Sequence, residues 1–352
     1  MSDPKPLEGL GTCPLPLRVH RTVQMAHGGG GRAMRDLIER VFRSAFSSGT
    51  SVPHDSAIVD VEAGRLAFTT DSFVVSPLFF PGGDIGKLAV FGTVNDLAMA
   101  GARPVCLSAG FILEEGFSLE RLQQVVDSMR EAADEARVSI VTGDTKVVDH
   151  GKGDGLYINT AGIGVVPAGL DVSPSRVRPG DVVLVSGDIG RHGIAVLSVR
   201  EGLAFETSIQ SDCAPLAGLV ARLIEAGVGI HCLRDLTRGG LASALGEIAL
   251  DGGVGIEVEE RAIPLEAPVV AACEILGLDP HYVANEGRLV AFVAPADGQH
   301  ALEVMRSHPR AAGAARIGQV VSAHRGVVYL RVPFGGERVL DLLSGEQMPR
   351  IC

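Results

Sequence analysis

Two hydrophobic periods alternate along the chain, one near 3.6 residues and one of 2. Behind the run Gly28 to Gly31, the residues Met34, Leu37, Ile38, Val41, Phe42 and Phe46 recur at helical spacing. "AIVDV" and "RLAFTT" read as paired strands around a turn at Ala63-Gly64. Asp84 is placed to cap a helix running to about Ala100, with Gly101 as its stop. The strand "PVCLSAGFI" follows. Leu119, Leu122, Val125, Val126, Met129 and Ala133 then mark a helix, and "VSIVT" and "LYINTAGIGVV" mark strands. The stretch 167–180, "PAGLDVSPSRVRPG", is punctuated by proline and glycine and reads as a linker. Beyond it the alternation resumes. "DVVLVSG", "GIHCLRD", "GIEVE", "RLVAFVA", "ARIGQVV" and "GVVYLRV" are expected strands. Helices are expected near 191–200 and 215–226, and another from a cap at Thr237 to Leu250.

This order predicts an irregular arm over 1–22, a mixed α/β domain over 23–166, a linker over 167–180 and a second α/β domain over 181–333. Two halves of similar size and type suggest an old duplication. A mobile tail is expected over 334–352, with a short apolar stop at Val339, Leu340 and Leu342. An arm of about a dozen residues can reach ~40 Å when extended. Its end is Cys352, the last residue of the chain. A reactive group carried on a swinging arm belongs at the tip.

Composition narrows the classes. The 352 residues are 46% hydrophobic and 21% charged, which suits globular domains with real cores. The formal net charge of -11 argues against a nucleic-acid binder, which shows a basic excess. No stretch approaches the ~20 apolar residues of a membrane span, and the Pro-rich start lacks the apolar core of a signal peptide. Cys13, Cys106, Cys213, Cys232, Cys273 and Cys352 are dispersed, with no CxxC pair. That excludes a zinc framework or disulfide scaffold and fits a reducing cytoplasm, where a terminal thiol stays free.

Candidate chemistry gathers at the ends of apolar elements. The glycines Gly28, Gly29, Gly30 and Gly31 precede a helix, where free N–H groups suit phosphate, although no Walker lysine follows. "TTDSF" places Asp71 just past a strand, and "GTVNDLAMAG" sets Asn95 and Asp96 within a helix of small and apolar residues. "VTGDTK" puts Gly143, Asp144, Thr145 and Lys146 after a strand, and "CLRDLTRGG" puts Asp235 before a Gly-opened helix. Each carboxylate taken alone reads as a cap or turn acid. Together they suit Mg²⁺, a hard cation that also takes phosphate oxygens. Glu286, in "VANEG", is either a general base facing a cleft or a solvated loop acid. His27, His192 and His281 sit near glycine or loop signals and read as structural or substrate-positioning residues.

These motifs, in this order, resemble the HypE family of hydrogenase maturation factors, within the group that includes aminoimidazole ribonucleotide synthetase and selenophosphate synthetase. The resemblance runs from about Arg21 through "TDSFVVSPLFFPGGDIGKLAVFGTVNDLAMAGARP", "VTGDTKVV", "GDGLYINTAGIG", "LRDLTRGGLA" and "VANEG" to the terminal "PRIC". It implies a two-domain aminoimidazole ribonucleotide synthetase-like fold with mixed α/β sheets and a flexible tail. The implied activity is ATP-dependent dehydration of an S-carbamoylated Cys352 to a thiocyanate, which supplies cyanide for the iron of NiFe hydrogenase. The implied cofactors are ATP and Mg²⁺. The implied partners are HypF as carbamoyl donor, HypC–HypD as cyanide acceptor, and a second copy of the chain. The residue assignments that follow are Cys352 as carrier thiol, Lys146 as phosphoryl or oxyanion stabiliser and Glu286 as base. Asp71, Asp96, Asp235 and Asp144 become metal ligands, and Gly28 to Gly31, Asn95 and the 143–146 run nucleotide contacts. The competing expectation is a synthetase of the same group acting on a free small molecule, for which the tail is dispensable.

Overall fold

The computed structural model describes residues 31–37, 57–61, 64–203, 209–333, 335–343, 348 and 351–352. The expected arm, Gly28, Gly29, Gly30, His27, the helix beyond residue 37 and Arg350 lie outside these residues. Two mixed sheets organise the rest. The first has five strands, β1 (Ala57–Val61), β2 (Gly64–Phe73), β5 (Arg103–Glu114), β6 (Ser139–Val148) and β7 (Leu156–Val166), in the order β1-β2-β7-β5-β6. A two-residue hairpin, β3 (Phe79–Phe80) with β4 (Gly83–Asp84), precedes the helix α2 (Ile85–Met99); a shorter helix, α1 (Gly31–Leu37), stands near the start.

Helix α2 is apolar on every side and almost wholly buried. Its start is set by Asp84, whose Oδ1 accepts from the N–H groups of Gly86 at 2.7 Å and Lys87 at 3.1 Å. That satisfies two of the donors a helix N-terminus leaves open. Helix α3 (Leu119–Ala136) is amphipathic and lies beside α2. Both cover one face of the first sheet, where Phe73, Leu107, Ile158 and Leu156 are buried with Phe91 and Val125.

The other face of that sheet carries no helix among the described residues. Phe68, Ile163 and Cys106 form one row across it. Phe68 is 47% exposed and Ile112 44%.

The second sheet has seven strands: β8 (Val182–Val185), β9 (Ile230–Asp235), β10 (Gly255–Glu259), β11 (Leu289–Val293), β12 (Ala315–Val321), β13 (Val328–Arg331) and β14 (Glu337–Leu340). Their order is β14-β13-β10-β12-β8-β11-β9. Strand β11 is buried at every position, as its unbroken apolar run requires. Helices α4 (Arg191–Arg200), α5 (Ala217–Glu225), α6 (Gly240–Gly252), α7 (Ala267–Leu276) and α8 (Gly298–Arg306) complete the domain. Helix α2 also touches α5 and β9, so the two domains share packing.

Several local expectations shift. Strand β2 runs on to Phe73, so Asp71 lies within the strand rather than past it. Strand β6 likewise contains Asp144 and Lys146, because its pairing with β5 continues to Val148. Helix α6 begins at Gly240 behind a left-handed Gly239, so Thr237 is not its cap. Part of the expected mobile tail belongs to the fold. Residues Glu337–Leu340 pair with β13. Beyond them, Asp341 accepts from Arg32 at 2.8 Å and Leu343 O accepts from Arg32 N–H at 2.8 Å. The expected apolar stop is real in part, since Leu340 and Leu342 are buried whereas Val339 is 54% exposed.

Candidate active site at the docked C-terminus

Side chains from four elements of both domains gather around Arg238. Asp71 comes from β2 and Asp96 from α2. Asp235 ends β9, and Arg238 follows in the loop before α6. Asp71, Asp96 and Arg238 reach solvent, whereas Asp235 is buried. Enclosure by protein works against the Arg238 charge, but Asp71, Cys352, Asp96 and Asp235 surround it and push its pKa up. Asp71 is raised by enclosure, against Arg238 and the Ser72 N–H, which donates to its Oδ1 at 2.8 Å. Asp96 Oδ2 accepts from Thr69 at 2.8 Å.

Glu286 sits on the loop entering β11 and is only 3% exposed. Of its two possible roles as a sequence motif, the solvated loop acid is excluded. The loop is pinned from several directions. Asp212 accepts from the N–H groups of Glu286 at 3.3 Å and Gly287 at 3.0 Å. Asn285 Oδ1 accepts from Gly190 N–H at 2.7 Å, and its amide donates to the carbonyls of Leu236 and Val283. Gly287 is obligatory, because a Cβ there would lie 1.9 Å from Asp212 O. The Glu286 Oε1 atom is buried with no hydrogen-bond partner. Burial, then Asp235, Asp212 and Asp71, raise this carboxyl well above its ordinary value, with Arg238 opposing. A raised carboxyl holds its proton more tightly and, once ionised, is a stronger proton acceptor.

The chain's own end reaches the same charged groups. Ile351 is buried among Phe80, Val196, Cys213 and Ala284. Cys352 follows, partly exposed, as a free thiol. Burial, then Glu286, raises the thiol strongly; Arg238 lowers it, and Asp71 and Asp235 raise it further. The terminal sulfur shares one electrostatic neighbourhood with Glu286, Arg238, Asp71 and Asp235.

Other expected residues fall elsewhere. Asn95 is a joint between domains. Its amide donates to Ala214 O at 3.1 Å and Glu286 O at 3.4 Å, and its Oδ1 accepts from Leu216 N–H at 2.7 Å. It supports the Glu286 loop and leaves little capacity for a nucleotide. Asp71 shares a row with Thr160, Ala109 and Gly143, on the helix-covered side of the first sheet. Asp144 is one position along, in the row of Ser72, Asn159 and Gly110, so it and Lys146 project from the opposite, open face. There they pair with each other at 3.0 Å, both largely exposed. One chain alone does not bring Asp144 or Lys146 to the carboxylate cluster. Thr145 lies between them on the same strand. Gly143 is needed for pairing, since a Cβ there would come 2.2 Å from Ala109 O. Gly31 opens α1 beside Leu343.

Arg238 and Asp212 escaped the reading of motifs. Arg238 stood inside the quoted "LTRGG", where an arginine beside two glycines was a usable signal. Asp212 lies in "SDCAP", which has no period or motif, and only the folded loop reveals its two backbone bonds.

Among the described residues, no group of three or more His, Cys, Asp or Glu side chains forms a ready metal cage. The donor set is nevertheless all carboxylate, and Mg²⁺ characteristically takes one or two carboxylates plus phosphate oxygens and water. Asp71, Asp96 and Asp235 fit that kind of phosphate-bridging site.

Residues 53–166 match the N-terminal domain, and residues 178–331 the C-terminal domain, of AIR synthase related proteins. The molecule is thus an AIR synthase-type two-domain protein. Within that class it belongs to the carbamoyl dehydratase HypE family. It is 56% identical over 332 residues to the carbamoyl dehydratase HypE of Azotobacter vinelandii, covering 94% of this chain and 97% of that one. It is 47% identical to that of Escherichia coli K12, covering 94% and 99%. A HypE crystallised in complex with ATP superposes with a TM-score of 0.80 at 48% identity, covering 94% of this chain and 100% of that one. A chain of a HypE–HypF complex gives 0.83 at 49% identity, covering 87% and 99%.

Proposed function

We infer that this chain is an ATP-dependent carbamoyl dehydratase that turns its own S-carbamoylated Cys352 into a thiocyanate, the source of cyanide for NiFe hydrogenase. One observation carries the reading. The partly exposed terminal thiol, next to buried Ile351, shares its charged surroundings with the buried Glu286 carboxyl and with Arg238 set among acids.

The chemistry asks for those groups. An amide oxygen is a poor leaving group until it accepts the γ-phosphoryl group of ATP. The resulting imidate phosphate loses phosphate, and over the sequence nitrogen gives up two protons. The products are S–C≡N, ADP and phosphate. Phosphoryl transfer rests on positioning and charge neutralisation. Arg238 is placed to steady charge growing on the carbamoyl oxygen. Glu286 is placed to take a proton from nitrogen. Asp71, Asp96 and Asp235 would hold Mg²⁺, which when bound neutralises the triphosphate charge.

Lys146 and Asp144 stand on the open apolar face of the first sheet. We assign that face to pairing with a second copy, which would enclose both residues and bring Lys146 into reach of nucleotide. HypF is the carbamoyl donor and HypC–HypD the acceptor in this reading. A thiol that must stay free suits a reducing compartment such as the cytoplasm.

The test is to carbamoylate the full chain with HypF, add Mg-ATP and weigh the C-terminal peptide. A carbamoyl adduct on Cys352 that loses one water only with ATP is expected. Cys352→Ala abolishes the adduct, while Glu286→Gln keeps it and blocks water loss. An adduct that never loses water in the wild-type protein refutes the reading, and dehydration at the normal rate in the Gln variant removes Glu286 as base.

A further inference from the structure

His192, on the first turn of α4, is completely buried, yet it carries out no step of the chemistry above. Its two ring nitrogens are both engaged. Nε2 lies 3.0 Å from Ile351 O and Nδ1 lies 2.8 Å from Ser211 Oγ. A carbonyl only accepts, so the ring proton sits on Nε2 and is donated to Ile351. Nδ1 then accepts from the Ser211 hydroxyl. Burial favours the neutral ring, against Asp212 and the Ile351 carbonyl. Ser211 is itself held, since its N–H donates to Pro81 O at 2.8 Å and its Oγ accepts from Cys213 N–H at 3.1 Å. Phe80 meets the imidazole edge-on at 5.3 Å.

The bond is unusual for where it ends. It reaches across 159 positions of sequence to the residue before the terminal one. Two apolar anchors flank it. Ile351 is buried in the core cluster that includes Phe80 and Val196. Met348 packs over Gly193, where a Cβ would come within 3.1 Å of both its Sδ and its Cε. Helix α4 therefore receives the tail by three successive features, a glycine seat, a hydrogen-bond donor and an apolar core cluster. Upstream, the chain is fastened at Asp341 and Leu343.

We infer that His192 is the latch of the tail, a positioning residue that holds the Ile351 carbonyl so that the group on Cys352 is presented to Glu286 and Arg238. The inference rests on the carbamoyl dehydratase reading for its purpose, although the latch itself is independent of catalysis. Loss of the donor leaves the inward tail with only its apolar anchors and shifts it outward.

The test uses the full-length protein, without ATP or carbamoyl donor, and times the release of Cys352 by a carboxypeptidase. His192→Leu, which keeps bulk and removes the donor, is expected to speed release about tenfold, the worth of one buried hydrogen bond. His192→Gln, which restores an N–H near the same place, is expected to bring release back toward wild type. Single-turnover water loss on the carbamoylated protein slows in the Leu variant in the same proportion, with ATP affinity unchanged. Ser211→Ala frees the ring to turn without emptying the core, and is expected to speed release in the same direction if the Leu variant does not fold. Wild-type release from a folded Leu variant, or from Ser211→Ala when the Leu variant is unfolded, overturns the latch. Faster release from a protein that never dehydrates its adduct supports the latch and refutes the dehydratase reading instead.

Discussion

At the scale of single residues, the site depends on charges that a folded chain has to hold together. Arg238 is a cation ringed by three carboxylates and a thiol. Its replacement by Gln removes charge from the place where negative charge grows. ATP-dependent water loss is expected to fall ~100-fold, the usual worth of one such donor, while carbamoylation of Cys352 proceeds. A mass-spectrometric time course separates the two steps. The raised thiol of docked Cys352 bears on the order of events. Only a thiolate is a good nucleophile, and the acidic site suppresses it. Carbamoylation is by this argument expected on a tail outside the site rather than on the docked one. Cys213, buried under the same tail, is raised by burial, Glu286, Asp212 and Asp84. It is expected to resist alkylating reagents in the native protein, with peptide mapping after brief iodoacetamide treatment as the check.

At the scale of elements, the loops that carry the chemistry are held by backbone bonds, and the tail grows from a fixed strand. Strand β14 is tied to the 279–282 turn by Arg338, which donates to Asp279 at 2.8 Å. Burial works against the Asp279 charge, but the hydrogen bonds and charge of His281, with Arg338, hold this carboxyl well below the usual carboxylate range. A depressed carboxyl contributes stability that is complete above its unfolded value and lost as pH falls through the folded one. Asp279→Asn is therefore expected to cost about 1 kcal/mol at pH 7. The difference from wild type shrinks below about pH 4, as urea titrations across pH would reveal. Helix α7 and strand β14 were not legible as elements. "APVVAACEIL" carries Glu274 as its one charge, so the buried face of Val269, Ala272 and Cys273 has no polar stripe opposite it to read. "ERVL" is too short, and exposed at three of its four positions, so only its pairing with β13 makes it a strand.

At the scale of the whole molecule, an apolar face that no described helix covers is a statement about assembly. Phe68, Ile163, Val165 and Ile112 line the open side of the first sheet. A charge set among them would be desolvated in a paired state but not in a single chain. Ile163→Asp is expected to convert a dimer into a monomer of 36.7 kDa by sedimentation. It should also suppress dehydration while the tail, docked within one chain, still resists carboxypeptidase. An unchanged mass would place the partner face elsewhere.

The motifs alone determined the family and the mixed two-domain fold, and they singled out Asp71, Asp96, Asp235, Glu286 and Cys352 as candidates, because such signals are local strings of residue types. The Asp84 cap and the Gly101 stop placed α2, and periodicity placed α3 and β11, since amphipathic or unbroken apolar runs follow from which faces are buried. Only the tertiary structure decided that Asp144 and Lys146 point away from Asp71. Side-chain direction alternates along a strand, so a single step of register selects the face. Only it could pair His192 with Ile351 and suspend Glu286 from Asp212. Those contacts join positions far apart in sequence, and no local pattern encodes a distance between them.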